Sequence, residues 1–296
     1  MIESAQLRSG KGHRDENFPV ASWLIRREHR PVILAFYEFV RVADDIADHP
    51  SLSEGEKLAR LDRLEASLTG KDDGEPEGAL LRAMLHTRDL SPRHAQDLLK
   101  AFRQDVTKHR YANWDDLIGY CALSAMPVGR FVLDVHGEAH ATWPASDALC
   151  AALQIINHLQ DCAADYRRLD RVYVPLDALA SHGLDVTAFG EKSASARLKA
   201  CLGELAVRTR NLLAQSRPLP SQVSDARLAM EIAAIQALAT RLIRMLRKRD
   251  PLSEPVHLGK ARMLAIGAGG AMRGLLRRML RSAVAFNRPQ THGSRP

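Results

Sequence analysis

The sequence predicts an all-α protein with a single domain, and three observations indicate this. Aromatic residues make up only 5% of the 296 residues, whereas alanine, leucine and arginine, which favour helices, are abundant. Apolar residues recur at helical spacing along most of the chain, and no run alternates in the manner of a strand. No linker or repeat divides the chain, so one domain over residues 1–287 and a disordered tail over 288–296 are expected.

Local signals place the first four helices. Pro31 suits the first turn of a helix that starts at Arg30. Ser53 and Glu56 have the spacing of a capping box, which predicts the start of the next helix. The stretch GKDDGEPEG has the composition of an exposed loop. The predicted helices cover 30–48, 53–68, 79–89 and 92–109, with the loop at 70–78.

The second half of the chain continues the helical pattern. A long helix is predicted from Trp114 to His136, with a kink at Pro127 because proline cannot continue the backbone hydrogen bonds. Residues 142–147 are predicted to form a loop, and residues 170–190 look irregular. The remaining predicted helices cover 148–168, 193–214, 225–249 and 259–284, and loops at 217–224 and 250–256 separate the last three.

Charge is distributed unevenly. The chain carries a formal net charge of +7, but residues 241–296 hold 13 Lys and Arg against 2 Asp and Glu, and the rest is mildly acidic. Residues 272–286 form a basic amphipathic helical pattern, which suits either an anionic membrane surface or the solvated face of a core helix. A non-enzymatic protein that binds nucleic acid or membrane through this end is the rival class. No recognised nucleic-acid motif accompanies the arginines, so no nucleic acid is expected.

No signal peptide is visible, and no stretch approaches the roughly 18 apolar residues of a spanning helix. The expected location is therefore cytoplasmic, with peripheral contact at the inner face of the membrane through the basic C-terminal helix.

The first predicted helix carries a polar stripe on an apolar background. Tyr37 and Arg41 lie seven and three residues before Asp44, and Asp48 lies four residues after it, so all four share one face. Like charges at i and i+4 destabilise an isolated helix, so a partner must offset them. A bound cation and a solvated acidic face are the two interpretations.

A second stripe repeats this design. Gln154, Asn157, Asp161 and Asp165 lie at spacings of three, four and four residues within another apolar helix. Oxygen ligands of this kind suit hard cations such as Mg²⁺, which are usually shared with substrate phosphates. The presence of two such helices favours a site where several Mg²⁺ ions bind one diphosphate, rather than a purely structural role for the two polar stripes. A di-iron bundle would want Glu-x-x-His pairs, which do not accompany these carboxylates.

These motifs resemble those of the squalene/phytoene synthase family, the head-to-head prenyl synthases, over roughly residues 15–250. The first and second stripes carry most of the resemblance. Two further motifs support it: Tyr120 followed by Ala125, Val128 and Gly129, and the segment from Asp170 to Pro175 that contains Arg171 and Tyr173.

The resemblance implies an all-α isoprenoid-synthase fold with a central apolar cavity between the aspartate helices. It also implies site residues by position. Diphosphate would contact Arg41, Asn157 and Arg171. The forked guanidinium groups of the two arginines are suited to diphosphate oxygens. The reacting centre would be lined by Tyr37, Tyr120, Gln154 and Tyr173. The alternative that Tyr37 and Tyr120 are ordinary core tyrosines stays open. The Mg²⁺ ligands would be Asp44, Asp48, Asn157, Asp161 and Asp165.

Several departures from the family pattern narrow the resemblance. Gln160 stands where the family usually has arginine, and Asp170 replaces the usual glycine. The stretches ENFPVAS, SAMPVGR and NHLQDCAADYRRLDRVYVP most resemble the bacterial hydroxysqualene synthase subgroup. That subgroup implies conversion of presqualene diphosphate and water to hydroxysqualene and diphosphate, with NADPH not expected. The capturing water could be held by Gln154, Gln160 or Tyr120. A presqualene diphosphate, squalene or phytoene synthase remains the alternative.

Overall fold

The computed structural model describes residues 25–286, and the side chains of residues 25–276. The all-α prediction is confirmed: in the described range the only extended pairing is an isolated parallel bridge between Arg110 and Val172. The helices are α1 (Arg30–Ala47), α2 (Glu54–Thr69), α3 (Pro76–His86), α4 (Arg93–Thr107), α5 (Trp114–Ser124), α6 (Met126–Val135), α7 (Trp143–Leu169), α8 (Leu176–Ser181), α9 (Ala196–Ser216), α10 (Leu219–Gln222), α11 (Ala226–Leu246) and α12 (Lys260–Phe286). The expected tail at 288–296 and the motif at 16–22 lie outside the described residues.

The helix starts follow the sequence signals, with two corrections. Both arms of the capping box between Ser53 and Glu56 are formed at the start of α2. The predicted loop at 142–147 is wrong, because α7 already begins at Trp143 with Pro144 in its first turn. Likewise α3 begins at Pro76, inside the predicted 70–78 loop. In both places proline lies in the first turn of the helix, where its missing N–H is not needed.

The predicted long helix after residue 113 is divided. Ala125 leaves helical geometry, with φ −129° and ψ −45°, and separates α5 from α6. Pro127 then occupies the first turn of α6, so the interruption falls two residues before the proline. The irregular region predicted at 170–190 contains the short helix α8 and a 3₁₀ turn at Val186–Gly190.

One segment meets the length and composition of a membrane span, contrary to the expectation of none. This is Trp114–Val135, and 39% of its most apolar window is buried within the protein. The segment comprises α5 and α6 with the break at Ala125 between them. Buried core helices pass the same test of length and composition, so this feature alone does not indicate insertion.

Helix α7 runs through the interior between α5, α6, α9 and α11. Close approach of α6 depends on Gly129, because a Cβ at this position would lie 2.4 Å from Ser146 Oγ and 2.5 Å from Cys150 Sγ. A second group of buried residues joins α1 to α2, α3 and α4. Phe36 of α1 stacks on Phe131 of α6, with ring centroids 3.8 Å apart. Helix α6 contributes to both groups and so connects α1 with α7, the helices that carry the two polar stripes.

Helix α12 packs on α11 through small residues. A Cβ on Gly270 would lie 2.7 Å from the carbonyl oxygen of Ala233, and one on Gly274 would lie 2.7 Å from the Ala233 Cβ. Glycine at these positions therefore lets the two backbones approach closely. Three larger apolar side chains of α12 remain exposed, those of Leu264, Met272 and Leu276.

Candidate active site

The polar stripe of α1 lies at the edge of the buried core. Tyr37, Arg41, Asp44 and Asp48 are all half-buried, whereas most of the apolar residues between them are buried. Arg41 donates one hydrogen bond to Asp44 Oδ2 at 3.0 Å and another to Asp45 Oδ1 at 2.8 Å. The guanidinium thus neutralises part of the charge on its own helix and is held in position beside it.

Negative charge remains in excess around Asp44. The pKa of the Asp44 carboxyl is raised to about 7, and burial is the largest cause. The neighbouring charge of Asp48 raises this pKa by more than the charge of Arg41 lowers it. The side chain nevertheless keeps 41% of its surface accessible. A carboxylate that is surrounded by protein atoms and other acids, yet open on one side, is suited to receiving a cation.

The stripe of α7 shows the same electrostatics. Gln154, Asn157, Asp161 and Asp165 are half-buried on one face of the helix. Burial raises the pKa of Asp165 to about 7, and the charges of Asp161 and Asp48 act in the same direction. Since Asp48 caps the C-terminal end of α1, the two stripes influence one another across the site.

Arg171 connects the segment after α7 to α1. Its Nη1 donates to Asp48 Oδ1 at 3.0 Å and to the Tyr173 hydroxyl at 3.3 Å, and its Nη2 donates to the backbone oxygen of Asp105 at 2.8 Å. Burial alone would lower the Arg171 pKa, but Tyr173, Asp105 and Asp48 hold it above its usual value. Arg171 is therefore a fixed, buried cation, as recognition of an anion requires.

Asp105 of α4 is a buried acid that the sequence analysis missed. Tyr120 donates its hydroxyl hydrogen to Asp105 Oδ2 at 2.8 Å, and Tyr173 donates to Oδ1 at 3.1 Å. Burial raises the Asp105 pKa to about 6 against the opposing charge of Arg171. The helical spacing could have indicated that Asp105 is buried. It follows Leu98 by seven residues and Ala101 by four, on the apolar face of α4.

His158 is the second missed residue. Its side chain lies off the predicted stripe and is buried. The His158 ring stacks on Tyr173, with ring centroids 3.5 Å apart. The Gln154 amide nitrogen lies 3.1 Å from His158 Nε2. Burial, and then the charge of Arg171, lower the His158 pKa to about 3, so this imidazole is neutral. Together with Tyr120, whose ring centroid is 5.4 Å from that of Tyr173, it forms an aromatic wall.

Gln160 does not belong to the stripe. Its side chain is buried, and its amide nitrogen donates to the backbone oxygen of Val256 in the loop between α11 and α12. The same nitrogen lies 3.4 Å from His257 Nδ1. Of the three side chains expected to hold a water, Gln160 therefore faces the loop, Tyr120 faces Asp105 and Gln154 faces His158.

No group of three His, Cys, Asp or Glu side chains among the described residues converges closely enough to hold a cation alone. The donors are instead carboxylates on two separate helices and the amide of Asn157. Such a set fits Mg²⁺ ions that complete their coordination with water and phosphate oxygens. Burial is the largest cause of the raised pKa values of Asp44 and Asp165, and neighbouring carboxylates raise them further.

Comparison with known proteins agrees with this arrangement. The squalene/phytoene synthase family model matches residues 12–262. A hydroxysqualene synthase of Rhodopseudomonas palustris is 58% identical over 272 residues, which cover 92% of this chain and 93% of the relative. A hydroxysqualene synthase of Sinorhizobium fredii is 52% identical over 97% of this chain and 98% of its own length.

Solved structures share the fold. A squalene synthase of Alicyclobacillus acidocaldarius is 30% identical and superposes with a TM-score of 0.69 over 82% of this chain and 92% of its own. A dehydrosqualene synthase superposes with a TM-score of 0.76 at 20% identity, over 94% and 95% of the two chains. Helix order, paired aspartate stripes and these matches together show that the chain belongs to the squalene/phytoene synthase family.

Proposed function

We propose that the protein is a hydroxysqualene synthase, which converts presqualene diphosphate and water to hydroxysqualene and diphosphate. The observation that carries this proposal is its similarity to three proteins of that name, which are 49–58% identical over at least 90% of this chain. Phytoene synthases match a smaller part, as in Arabidopsis thaliana, where 35% identity extends over 57% of this chain. A prenyl diphosphate substrate follows from the family.

The diphosphate would bind between the two aspartate helices. Mg²⁺ bound there would supply Lewis-acid neutralisation of the leaving diphosphate; its ligands would be Asp44, Asp48, Asn157, Asp161 and Asp165. Arg171, held by Asp48 and Asp105, presents a charged fork whose position is set before substrate arrives. Arg41 plays the same part on α1.

The aromatic wall would meet the carbocation left after ionisation. Tyr120, Tyr173 and the neutral ring of His158 can stabilise positive charge through their faces without reacting with it. Tyr37, on the α1 stripe one turn before Arg41, would line the same reacting centre. Gln154 is the polar group we propose for holding the capturing water, because its carboxamide lies beside His158. Hydride donation by NADPH has no part in this reaction.

Product analysis tests the activity directly. Purified protein is incubated with presqualene diphosphate and Mg²⁺ without NADPH, and the products are identified by mass spectrometry. Hydroxysqualene is the expected product. Squalene formed only when NADPH is added would contradict hydration, and conversion of farnesyl diphosphate to presqualene diphosphate would assign the protein to an earlier step.

We further propose that the protein is cytoplasmic and touches the inner face of the membrane through α12. Leu264, Met272 and Leu276 are 75%, 56% and 51% exposed along one side of this helix. Arg262 and Arg273 lie on the same helix and are also exposed. Apolar side chains flanked by cations favour an anionic lipid surface.

Vesicle sedimentation tests this contact. The protein should sediment with vesicles containing phosphatidylglycerol at low salt and much less with neutral phosphatidylcholine vesicles. Met272→Glu should weaken sedimentation, whereas Leu80→Glu, at an exposed position on α3, should not. Binding to DNA in a gel shift without prenyl turnover would instead favour the rival class of nucleic-acid-binding protein.

A further inference from the structure

The loop between α11 and α12 is anchored firmly enough to place a side chain in the site. Asp250 accepts hydrogen bonds from the backbone N–H of Ala194 at 2.8 Å and of Leu252 at 3.0 Å. Val256 is 1% exposed. Since these contacts fix the backbone on both sides of residues 253–255, the position of His257, which follows directly, is defined by the fold.

Gln160 determines which ring nitrogen of His257 carries the proton. The backbone oxygen of Val256 can only accept a hydrogen bond, so the amide nitrogen of Gln160 must face it. That nitrogen also lies 3.4 Å from His257 Nδ1. An amide nitrogen only donates, so Nδ1 is the acceptor and the proton of the neutral ring resides on Nε2.

The protonated nitrogen points toward the second aspartate helix. His257 Nε2 lies 4.0 Å from Asp161 Oδ1, and each side chain is 46% exposed. A separation of 4.0 Å is too long for a direct hydrogen bond. His257 Nε2 therefore lies close to Asp161 without a direct hydrogen bond to it, at the place where the proposed function puts the substrate diphosphate.

We propose that His257 is a further substrate-binding residue, which donates its Nε2–H to a diphosphate oxygen held beside Asp161. Gln160 is the positioning residue that fixes the ring and its tautomer. The ring would add a directed hydrogen bond to the anion beside the guanidinium groups of Arg41 and Arg171. This inference rests on the proposed function, because it requires a diphosphate at that place.

Calorimetric binding of inorganic diphosphate in the presence of Mg²⁺ tests the contact without turnover. His257→Ala should weaken binding by about tenfold, as expected for one lost hydrogen bond to a charged acceptor. His257→Gln, which can still donate from its amide, should recover much of that loss. His86→Ala, at an exposed position at the end of α3, should bind as the wild type does.

Two results are distinguishable in this experiment. Equal affinity of the wild type and His257→Ala overturns the role of His257 and leaves the proposed function intact. No binding by the wild type overturns the diphosphate site itself, and this inference with it.

The tautomer has its own readout. Ring ¹⁵N shifts, with His257 assigned by comparison with His257→Ala and recorded at a pH where the ring is neutral, should show the Nε2–H form in the wild type. Gln160→Leu should yield a mixture of tautomers and should weaken diphosphate binding without removing it. A wild-type ring with its proton on Nδ1 would overturn the positioning by Gln160.

Discussion

Arg171 Nη1 donates to Asp48 Oδ1 at 3.0 Å, although 123 residues separate the two in the sequence. The contact connects the segment after α7 to the C-terminal end of α1. Because Arg171 also binds the backbone oxygen of Asp105, one guanidinium joins three elements around the candidate diphosphate site. Its consequences for stability, and those of the surrounding acids, can be measured.

Replacing Arg171 should destabilise the protein. Arg171→Ala leaves Asp105, whose side chain is 6% exposed, without its nearby cation, and loss of a buried ion-pair partner costs about 3 kcal/mol. Arg171→Lys keeps the charge but not the fork, so an intermediate loss is expected. Urea unfolding measures both, with exposed Arg197→Ala as the control. Unchanged stability in Arg171→Ala would contradict the buried network.

Asp44→Asn should separate stability from activity. Removing this carboxylate relieves repulsion from Asp48 and Asp45, so in the absence of Mg²⁺ the melting temperature should stay the same or rise. Turnover should fall by at least about 100-fold, because a group that neutralises the leaving diphosphate is lost. Asp161→Asn should behave alike. Retained turnover in both variants would refute the assignment of these residues.

Asp105 should make stability depend on pH. Its raised pKa, about 6, means that the folded protein holds this proton more tightly than the unfolded chain. The free energy of unfolding should therefore fall as pH rises from about 4 to about 6, by up to roughly 2–3 kcal/mol from this group. Asp105→Asn cannot titrate, so urea unfolding over this range should show a shallower decline. Parallel slopes for the two proteins would count against a raised Asp105 pKa.

Gly270 and Gly269 offer a matched pair on α12. A Cβ at Gly270 would lie 2.7 Å from the Ala233 carbonyl oxygen, whereas a Cβ at Gly269 meets nothing within 4 Å. Gly270→Ala should destabilise the packing of α12 on α11 by about 1–3 kcal/mol. Gly269→Ala should stabilise the helix by about 0.5–1 kcal/mol, because alanine favours helix. Denaturant unfolding measures the change in the free energy of unfolding for each variant. Equal changes in the two variants would exclude close packing at Gly270.

Sequence patterns predicted most helices, since start signals such as the Ser53 capping box act within one turn. Prediction failed where a proline could either interrupt or begin a helix. Pro144 and Pro76 lie in the first turns of helices whose starts were predicted as loop, and the break predicted at Pro127 falls at Ala125. A proline is compatible with both outcomes, and packing of the neighbouring segments selects one.

The sequence by itself determined the family and the two aspartate stripes, because spacing along a single helix is a local property. Tertiary structure decided which distant groups meet those stripes. Asp105 and His158 lie on apolar helix faces. Only the packed structure shows that Asp105 accepts hydrogen bonds from Tyr120 and Tyr173, and that His158 contacts Gln154. Likewise, Gln160 and His257 are 97 residues apart, and their contact depends on the fold of the loop before α12, which no local pattern encodes.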